Sequence, residues 1–421
     1  MSKFRTIIIG FGPSGIGAAL KTKKGIIIEK NSVPGGLSRS YKYKSATYDL
    51  GGHSFHTPHE EVKNLIKKNT KIFLQKRNAK CFVKKKIINY PFQKNFKEIG
   101  DVKITKECEM GLSNAETKNE NYHEFIKTKF GYGISKHFMM PYNLKLWGNN
   151  LRRMSTKWTS ERIAEVKNQK FDTKGGKRKP LQSDTKVGYP SKNGFGQIFD
   201  DLSKKVKLQK KFNKKIKKID LNKKSILLDN NELYYYSNIV STISILDLLK
   251  CINGVPKRII NLSKKLEYLS LYLVVAIIKG KIKTSIQRIY SSEKKYFPGK
   301  VALNHNSSNY LRNTKEHAIM GEISYGKNKK KPIHVKKNFI KFLIDTKIIK
   351  NKNEIKKMIT HDIQYSYPVP THEKSFIIKQ IKNWLKKYNI YTVGRFAEWD
   401  YINSDEALRR GLEIGSKISK K

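Results

Sequence analysis

The sequence predicts an α/β fold: a Rossmann-like dinucleotide-binding domain, an inserted helical subdomain, and an antiparallel β-sheet substrate domain. Three observations carry this. The amino terminus alternates strand and helix text around a glycine-rich turn, FRTIIIGFGPSGIGAALKTKKGIIIEK. A polar, helix-like stretch follows from about 54 to 180. Long apolar β-branched runs such as YLSLYLVVAIIKG and HAIMGEISYG then occupy 265–345, where a sheet is expected.

The opening unit is the most explicit. Thr6 to Ile9 is an apolar β-branched run that leads into Gly10-Phe-Gly12-Pro-Ser-Gly15, a short helix of small residues, and a second apolar run, Ile26 to Ile28, ending in Glu29. In such a βαβ unit the first glycine permits the tight turn, and the second lets backbone approach a pyrophosphate. The third lets helix and strand pack closely, and the acid accepts from a ribose hydroxyl. The helix N-terminus adds N–H donors and the positive end of its dipole. Further glycine turns follow at Gly35-Gly36, before Ser38 and Arg39, and at Tyr48-Asp49-Leu50-Gly51-Gly52-His53. A chain wrapped by several such turns suits a long cofactor, flavin adenine dinucleotide (FAD) more than a nicotinamide one.

Further along, a loop is expected around 100–120 and a basic surface linker at 170–185 (KFDTKGGKRKP). PYNLKLWG at 141–148 reads as a turn followed by Trp147. Strand text returns over 186–248, from Lys205 to Lys218, SILLD and ELYYYSNIVSTISILDLL. The run Lys327 to Lys331 is expected to be a solvated loop. The tail, NIYTVGRFAEWDYINSDEALRRGLEIGSKI, reads as strand, glycine turn and amphipathic helix, with Asn403 and Glu406 spaced as a capping box.

At 421 residues, with 38% hydrophobic and 11% aromatic residues, the chain can bury a large cofactor among two or three subdomains. Its three cysteines, Cys81, Cys108 and Cys251, form no C-x-x-C pair, which fits a reducing compartment and excludes a zinc knuckle or disulfide framework. With no apolar run of spanning length and strand text from the start, a cytoplasmic protein is expected. A net charge of +54 invites a polyanion-binding reading. The lysines, however, are spread over the whole chain among Ile and Asn, without the aromatic-basic clusters that hold single strands, so no specific nucleic acid is expected. Peripheral association with an anionic membrane stays open. His53, His56 and His59 stand near Glu60, but the glycine turn before them fits a cofactor loop, and no metal is expected.

Several stretches set an aromatic beside a polar or cationic group: YPFQ at 90–93, PYNLKLW at 141–147, WTSER at 158–162, YPVP at 367–370 and GRFAEWDY at 394–401. Asn143 and Trp147 carry an amide and an indole N–H that need partners when buried. With GGHSFH at 51–56, these stretches resemble, in this order, eukaryotic-type UDP-galactopyranose mutases, within the FAD-dependent amine oxidase and protoporphyrinogen oxidase superfamily. The match runs in patches over nearly the whole chain.

The resemblance implies an FAD-binding domain in three parts, 1–90, 181–250 and 351–421, with a helical substrate subdomain at 91–180 and an antiparallel sheet domain at 251–350. It implies that Gly10, Gly12, Gly15, Glu29, Gly36, Arg39, Gly52, Arg395 and Asn403 bind FAD. His53 would lie beside the flavin N5 edge. Tyr90, Gln93, Asn143, Trp147, Arg162 and Tyr290 would hold a UDP-galactose-type nucleotide sugar, with Tyr367 and Tyr401 on the diphosphate; His53, Arg162, Tyr367 and Tyr401 would form the catalytic set. A guanidinium such as Arg162 suits a diphosphate through charge-assisted bonds, and a helix N-terminus near Asn403 would stabilise reduced flavin. One departure stands out: Lys300 occupies the place of a second diphosphate-neutralising arginine, with Arg288 or Arg312 as substitutes. The implied reaction interconverts UDP-galactopyranose and UDP-galactofuranose through an adduct at N5 of reduced flavin, with NAD(P)H as reductant. An oxidase of the same superfamily and a non-catalytic polyanion binder are the alternatives.

Overall fold

The computed structural model describes residues 2–113, 121–164, 180–181, 185–327 and 331–420. The expected linker at 170–185 and most of the loop at 327–331 lie outside them, save for a few flanking residues.

Two seven-stranded sheets organise the chain. In the first, Ser2–Ile9 pairs in parallel with Leu233–Ser241 on one side and Ile26–Ile28 on the other, and Gln209–Lys211 extends the latter. Ile390–Thr392 pairs in parallel with the end of Leu233–Ser241, while Ser225–Leu228 and Ile216–Asp220 add an antiparallel edge. This is the Rossmann-like layer, and its buried parallel strands explain the unbroken isoleucine runs III and TIII. The helix Pro13–Lys21 lies against the terminal helix Ser404–Ser419. At Gly411 a methyl group would sit 2.2 Å from the Ser14 carbonyl oxygen, so only glycine lets the two backbones come this close. The last helix is thereby fixed to the nucleotide-binding turn.

The second sheet runs Ile355–Pro368, Tyr268–Lys279, Glu316–Gly326, Lys300–Ala302, Arg288–Ser291, Ala79–Val83, Lys86–Asn89. Both faces of Tyr268–Lys279 are covered. Leu273, Val275 and Ile277 face Tyr48, Leu50 and Met320, and Val274, Ala276 and Ile278 face the helix Val335–Asp345 through Phe339 and Phe342. The alternation of a half-exposed strand is therefore missing from its sequence. Leu273 is fully buried at the centre, and Leu273→Ala is expected to lower unfolding free energy by about 2–5 kcal/mol, measured by denaturant titration.

Five expectations change. The stretch 54–180 is not uniformly helical: Ile72–Lys76, Ala79–Val83 and Lys86–Asn89 are strands, and the last two join the second sheet rather than the Rossmann-like layer. Ile355–Pro368, assigned above to the FAD-binding part, is also a strand of that sheet. The expected loop near 100 is the helix Val102–Ser113, whose contacts with the helix Tyr122–Ile134 outweigh its polar composition. Within 186–248, Gln197–Lys204 is helical and ends where strand text was read at Lys205. Finally, PYNLKLW is not a turn. It forms the helix Met140–Trp147, preceded by a π-helical turn at Ser135–Met139, and Gly148 ends it at φ 62°. Pro141 stands in the first turn of this helix, where a missing N–H costs the ladder least.

Among the described residues no helix is long and apolar enough to cross a membrane, and no group of three or more His, Cys, Asp or Glu is arranged to hold a metal. His59 instead pairs with Glu406 at 3.0 Å.

Candidate functional site

The glycine turn has the geometry its spacing requires. Gly10 takes φ 91° and donates its N–H to the Ile28 carbonyl at 2.8 Å, tying the turn to the second strand. A methyl at Gly15 would lie 2.0 Å from the Gly10 carbonyl oxygen, so helix and turn touch backbone to backbone. Gly12 and Gly36 pack backbone to backbone, a methyl on Gly36 falling 3.1 Å from the Gly12 Cα. Glu29 is buried at the end of its strand. One carboxylate oxygen accepts from the Phe11 N–H at 2.7 Å, and the other from the Asn31 N–H at 2.8 Å and Nδ2 at 2.5 Å. This leaves the carboxylate fixed and lining the cavity wall.

From this turn a cavity of about 930 Å³ runs past Arg39, Gly52 and His53 to Arg395, Tyr401 and Asn403, the upper end of the range for small-molecule sites. A second cavity of about 230 Å³, under the helical layer, is lined by Tyr90, Gln93, Asn143 and Trp147. The two meet at Arg77, Arg162, Tyr290, Lys300, Tyr367 and Tyr401, which line both. Every residue predicted for the site, save Gly15 behind the turn, thus lines one or both cavities. Arg312 does not: it sits on the helix Asn309–Arg312 and bonds the Asn306 carbonyl.

An aromatic box closes the smaller cavity. The Trp147 ring lies 5.3 Å from Tyr401 and 5.9 Å from Tyr367, both edge-on, and 5.5 Å from Trp158. The indole N–H groups of Trp147 and Trp158 are buried and without a partner among the described residues. Two such donors in one box point to an acceptor supplied by a ligand, because a buried N–H without a partner is costly. Asn143 is already held, giving Nδ2 to the Met139 carbonyl at 2.7 Å and accepting from the Tyr122 hydroxyl at 2.8 Å. Gln93 donates to the Ala164 carbonyl. Both amides shape the box more than they offer free groups.

The cations are arranged differently from expectation. Arg162 gives Nη1 to the Asn403 side-chain oxygen at 2.5 Å and Nη2 to the Tyr401 carbonyl at 2.7 Å, and lies 4.5 Å over the Tyr401 ring. Asn403 therefore does not form the expected capping box; its oxygen serves Arg162 instead of the helix. That helix carries Asp405 and Glu406 in its first turn, so its N-terminus is not a bare positive end. Arg395 spends all three nitrogens on the Ile402 and Ser366 carbonyls, which fixes the segment carrying Tyr401. Arg39 lines the larger cavity and donates Nε to the Tyr41 hydroxyl at 2.7 Å.

Lys300 lies beside Tyr290 in strand register, and its ammonium is 2.7 Å from the buried Glu322 carboxylate. Glu322 also accepts from the Gly52 N–H at 2.7 Å and from the Tyr367 hydroxyl at 3.3 Å. Lys300 is thus already neutralised by Glu322. Arg288 gives one nitrogen to the His53 carbonyl at 2.8 Å, and its buried Nη1 has no partner among the described residues. A residue absent from the sequence reading completes the set. Arg77 is buried, lies 4.6 Å over the Tyr90 ring, donates to the Tyr290 hydroxyl at 2.6 Å, and has an Nη1 with no partner among the described residues. In QKRNAK the only signal was a guanidinium in lysine-rich text, which is weak.

His53 stacks on Phe195, ring centres 4.8 Å apart. Burial first, then the charges of Arg288, Lys300 and Arg395, hold its pKa down at about 3 from an ordinary 6.5. A depressed histidine stabilises the fold above the unfolded value and loses that contribution as pH falls through the folded value. Relative to His53→Gln, the wild type should lose up to about 1.4 kcal/mol per pH unit between pH 6.5 and 3, checked by denaturation across that range.

A family profile for NAD(P)-binding Rossmann-like domains matches residues 8–68. The whole chain superimposes on a crystal structure of reduced UDP-galactopyranose mutase with a TM-score of 0.87 and 24% identity, covering 99% of this chain and 95% of that one. A structure from Exiguobacterium sp. 255-15 described as a protoporphyrinogen oxidase aligns at 0.76 and 14% identity, over 100% and 99% of the two chains. A redesigned putrescine oxidase aligns at 0.66 and 12%, over 100% of each. The fold is the one these enzymes share.

Proposed function

We propose that the protein is an FAD-dependent enzyme that interconverts UDP-galactopyranose and UDP-galactofuranose, or a closely related nucleotide sugar. The observation that carries the reading is the junction of the two cavities: a long groove starting at a dinucleotide turn opens into a small box with unpartnered indole and guanidinium donors. A dinucleotide flavin suits the groove because Gly10, Gly12 and Gly36 present bare backbone there while Glu29 stands fixed at the second strand. The donors of the box suit an anionic, acceptor-rich ligand and would be wasted on an apolar amine or tetrapyrrole.

When bound, the flavin supplies a reducible centre that can act as electron donor or nucleophile, and NAD(P)H is its proposed reductant. The chain's own residues do the rest. Gly12, Gly36 and Glu29 hold the dinucleotide; Arg39 and Gly52 flank it. Tyr90, Gln93, Asn143, Trp147 and Tyr290 hold the nucleoside end of the substrate. Arg162, Arg77, Tyr367 and Tyr401 place cations and phenols where a leaving diphosphate accumulates charge, the point at which fixed donors lower a barrier most. Lys300 contributes through its pair with Glu322. His53 stays neutral and offers a proton acceptor at the cavity edge. Confining the sugar between these groups keeps the departed diphosphate within reach for return.

The test is a titration of the purified protein's visible spectrum. UDP is expected to perturb the bound flavin, while putrescine and protoporphyrinogen leave it oxidised and unbleached. Bleaching by either reductant without any response to UDP would favour an oxidase.

A further inference from the structure

Asp49, the acid of YDLGGH, has no assigned role, although it lies four residues before His53. It is fully buried, and four donors converge on its two oxygens. Oδ1 accepts from the Ser40 hydroxyl at 2.5 Å and the Phe195 N–H at 3.0 Å, and Oδ2 accepts from the Tyr189 hydroxyl at 2.6 Å and Asn304 Nδ2 at 2.5 Å. Burial raises the pKa of Asp49, and all four hydrogen bonds oppose that by favouring the carboxylate; two of the donors, the Phe195 N–H and Asn304 Nδ2, cannot accept a proton in return. The Asp49 Oδ2 lies 3.9 Å from His53 Nδ1, and that nitrogen is buried without a hydrogen-bond partner among the described residues.

We infer that Asp49 is a positioning residue: its carboxylate holds the His53 imidazole in the tautomer protonated on Nδ1, leaving Nε2 as the acceptor nitrogen. The argument is electrostatic. With the proton on Nε2, the Nδ1 lone pair would face a buried carboxylate across 3.9 Å. With the proton on Nδ1, an N–H dipole faces it instead, a favourable contact of charge and dipole at that distance. The same four donors tie Asp49 to three separate segments of the chain, so the carboxylate cannot turn away. Phe195, whose N–H holds Oδ1, also stacks on the imidazole, so one residue fixes both partners. On the other side Arg288 holds the His53 carbonyl, and Glu322 holds the Gly52 N–H. Arg288, Lys300 and Arg395 are the charges that face the ring from the second sheet and the carboxy-terminal segment, and all three disfavour a second proton on it. The ring is therefore a neutral acceptor beside the groove. Only this last use rests on the flavin reading above; the tautomer does not.

The test is a long-range ¹H–¹⁵N correlation spectrum of protein labelled at its ten histidines, with the His53 signals identified by their loss in His53→Gln. The expected spectrum shows a protonated Nδ1 and a pyridine-like Nε2, and Asp49→Asn lowers the Nδ1–H to Nε2–H ratio by at least about tenfold. A wild-type ring protonated on Nε2 overturns the inference, as does an unchanged ratio in folded Asp49→Asn. Should that variant fail to fold, the wild-type tautomer decides alone. Flavin content read from the same samples keeps the two claims apart: colourless protein with Nδ1 protonated sinks only the cofactor reading, and coloured protein with Nε2 protonated sinks only this one.

Discussion

Gly15→Val is expected to give protein whose flavin affinity is at least about 100-fold below that of the wild type, equivalent to about 3 kcal/mol. The cause is local and steric. The first atom of any side chain at this position falls 2.0 Å from the Gly10 carbonyl oxygen, a backbone atom that cannot rotate aside. The helix Pro13–Lys21 must then move off the strand Ser2–Ile9, taking with it the turn and the N–H groups meant for the pyrophosphate. The same shift strains the seam at Gly411, where the terminal helix touches the Ser14 carbonyl. Flavin absorbance per mole of protein reads the effect, and added FAD should raise the melting temperature of the wild type but not of the variant. A yellow Gly15→Val protein with wild-type flavin content would remove the turn from the cofactor site.

Arg162→Ala is expected to weaken UDP binding by at least about 30-fold, near 2 kcal/mol, while flavin content stays close to normal. Arg162 bridges the two cavities, and its guanidinium ties Asn403 and the Tyr401 carbonyl while lying over the Tyr401 ring. Its loss removes a cation from the proposed diphosphate position and frees the segment that carries a phenol of the same site. Arg162→Lys would restore the charge without the planar fork, so partial recovery would separate charge from geometry. Calorimetric titration with UDP reads both variants. An unchanged dissociation constant in Arg162→Ala would move the diphosphate elsewhere, with Arg77 the next group to replace.

What the sequence made legible was written in local backbone chemistry. Gly10, Gly12, Gly15 and Glu29 announce the nucleotide turn because each meets a requirement only a few residue types satisfy at that spacing. The runs TIII and LYLVVAII announce buried strands because both their faces are covered. The aromatic-polar stretches came together from positions as distant as Tyr90 and Tyr401 because each carries a group that is awkward in a core. The rest was set by contacts between remote segments. Lysine-rich text hid the strands near Ala79, whose partner Arg288–Ser291 lies some 200 residues away. PYNLKLW read as a turn because Pro141 and Asn143 favour one locally, yet the preceding π-helical turn and the buried partners of Asn143 make a helix. Arg77 and Glu322 passed unnoticed: one is a cation in lysine-rich text, the other a single acid within the strand text HAIMGEISYG. Their importance appears only when Tyr290, Lys300 and Gly52 are brought against them.

The central claim is that a nucleotide-sugar cleft opens onto a reduced flavin. The most direct measurement is incubation of the dithionite-reduced, flavin-replete protein with UDP-galactopyranose, followed by chromatographic separation of the nucleotide sugars. The account predicts that UDP-galactofuranose appears with reduced protein and is absent, or far slower to form, with oxidised protein. Flavin-replete, reduced protein that returns UDP-galactopyranose and its close relatives unchanged would contradict it.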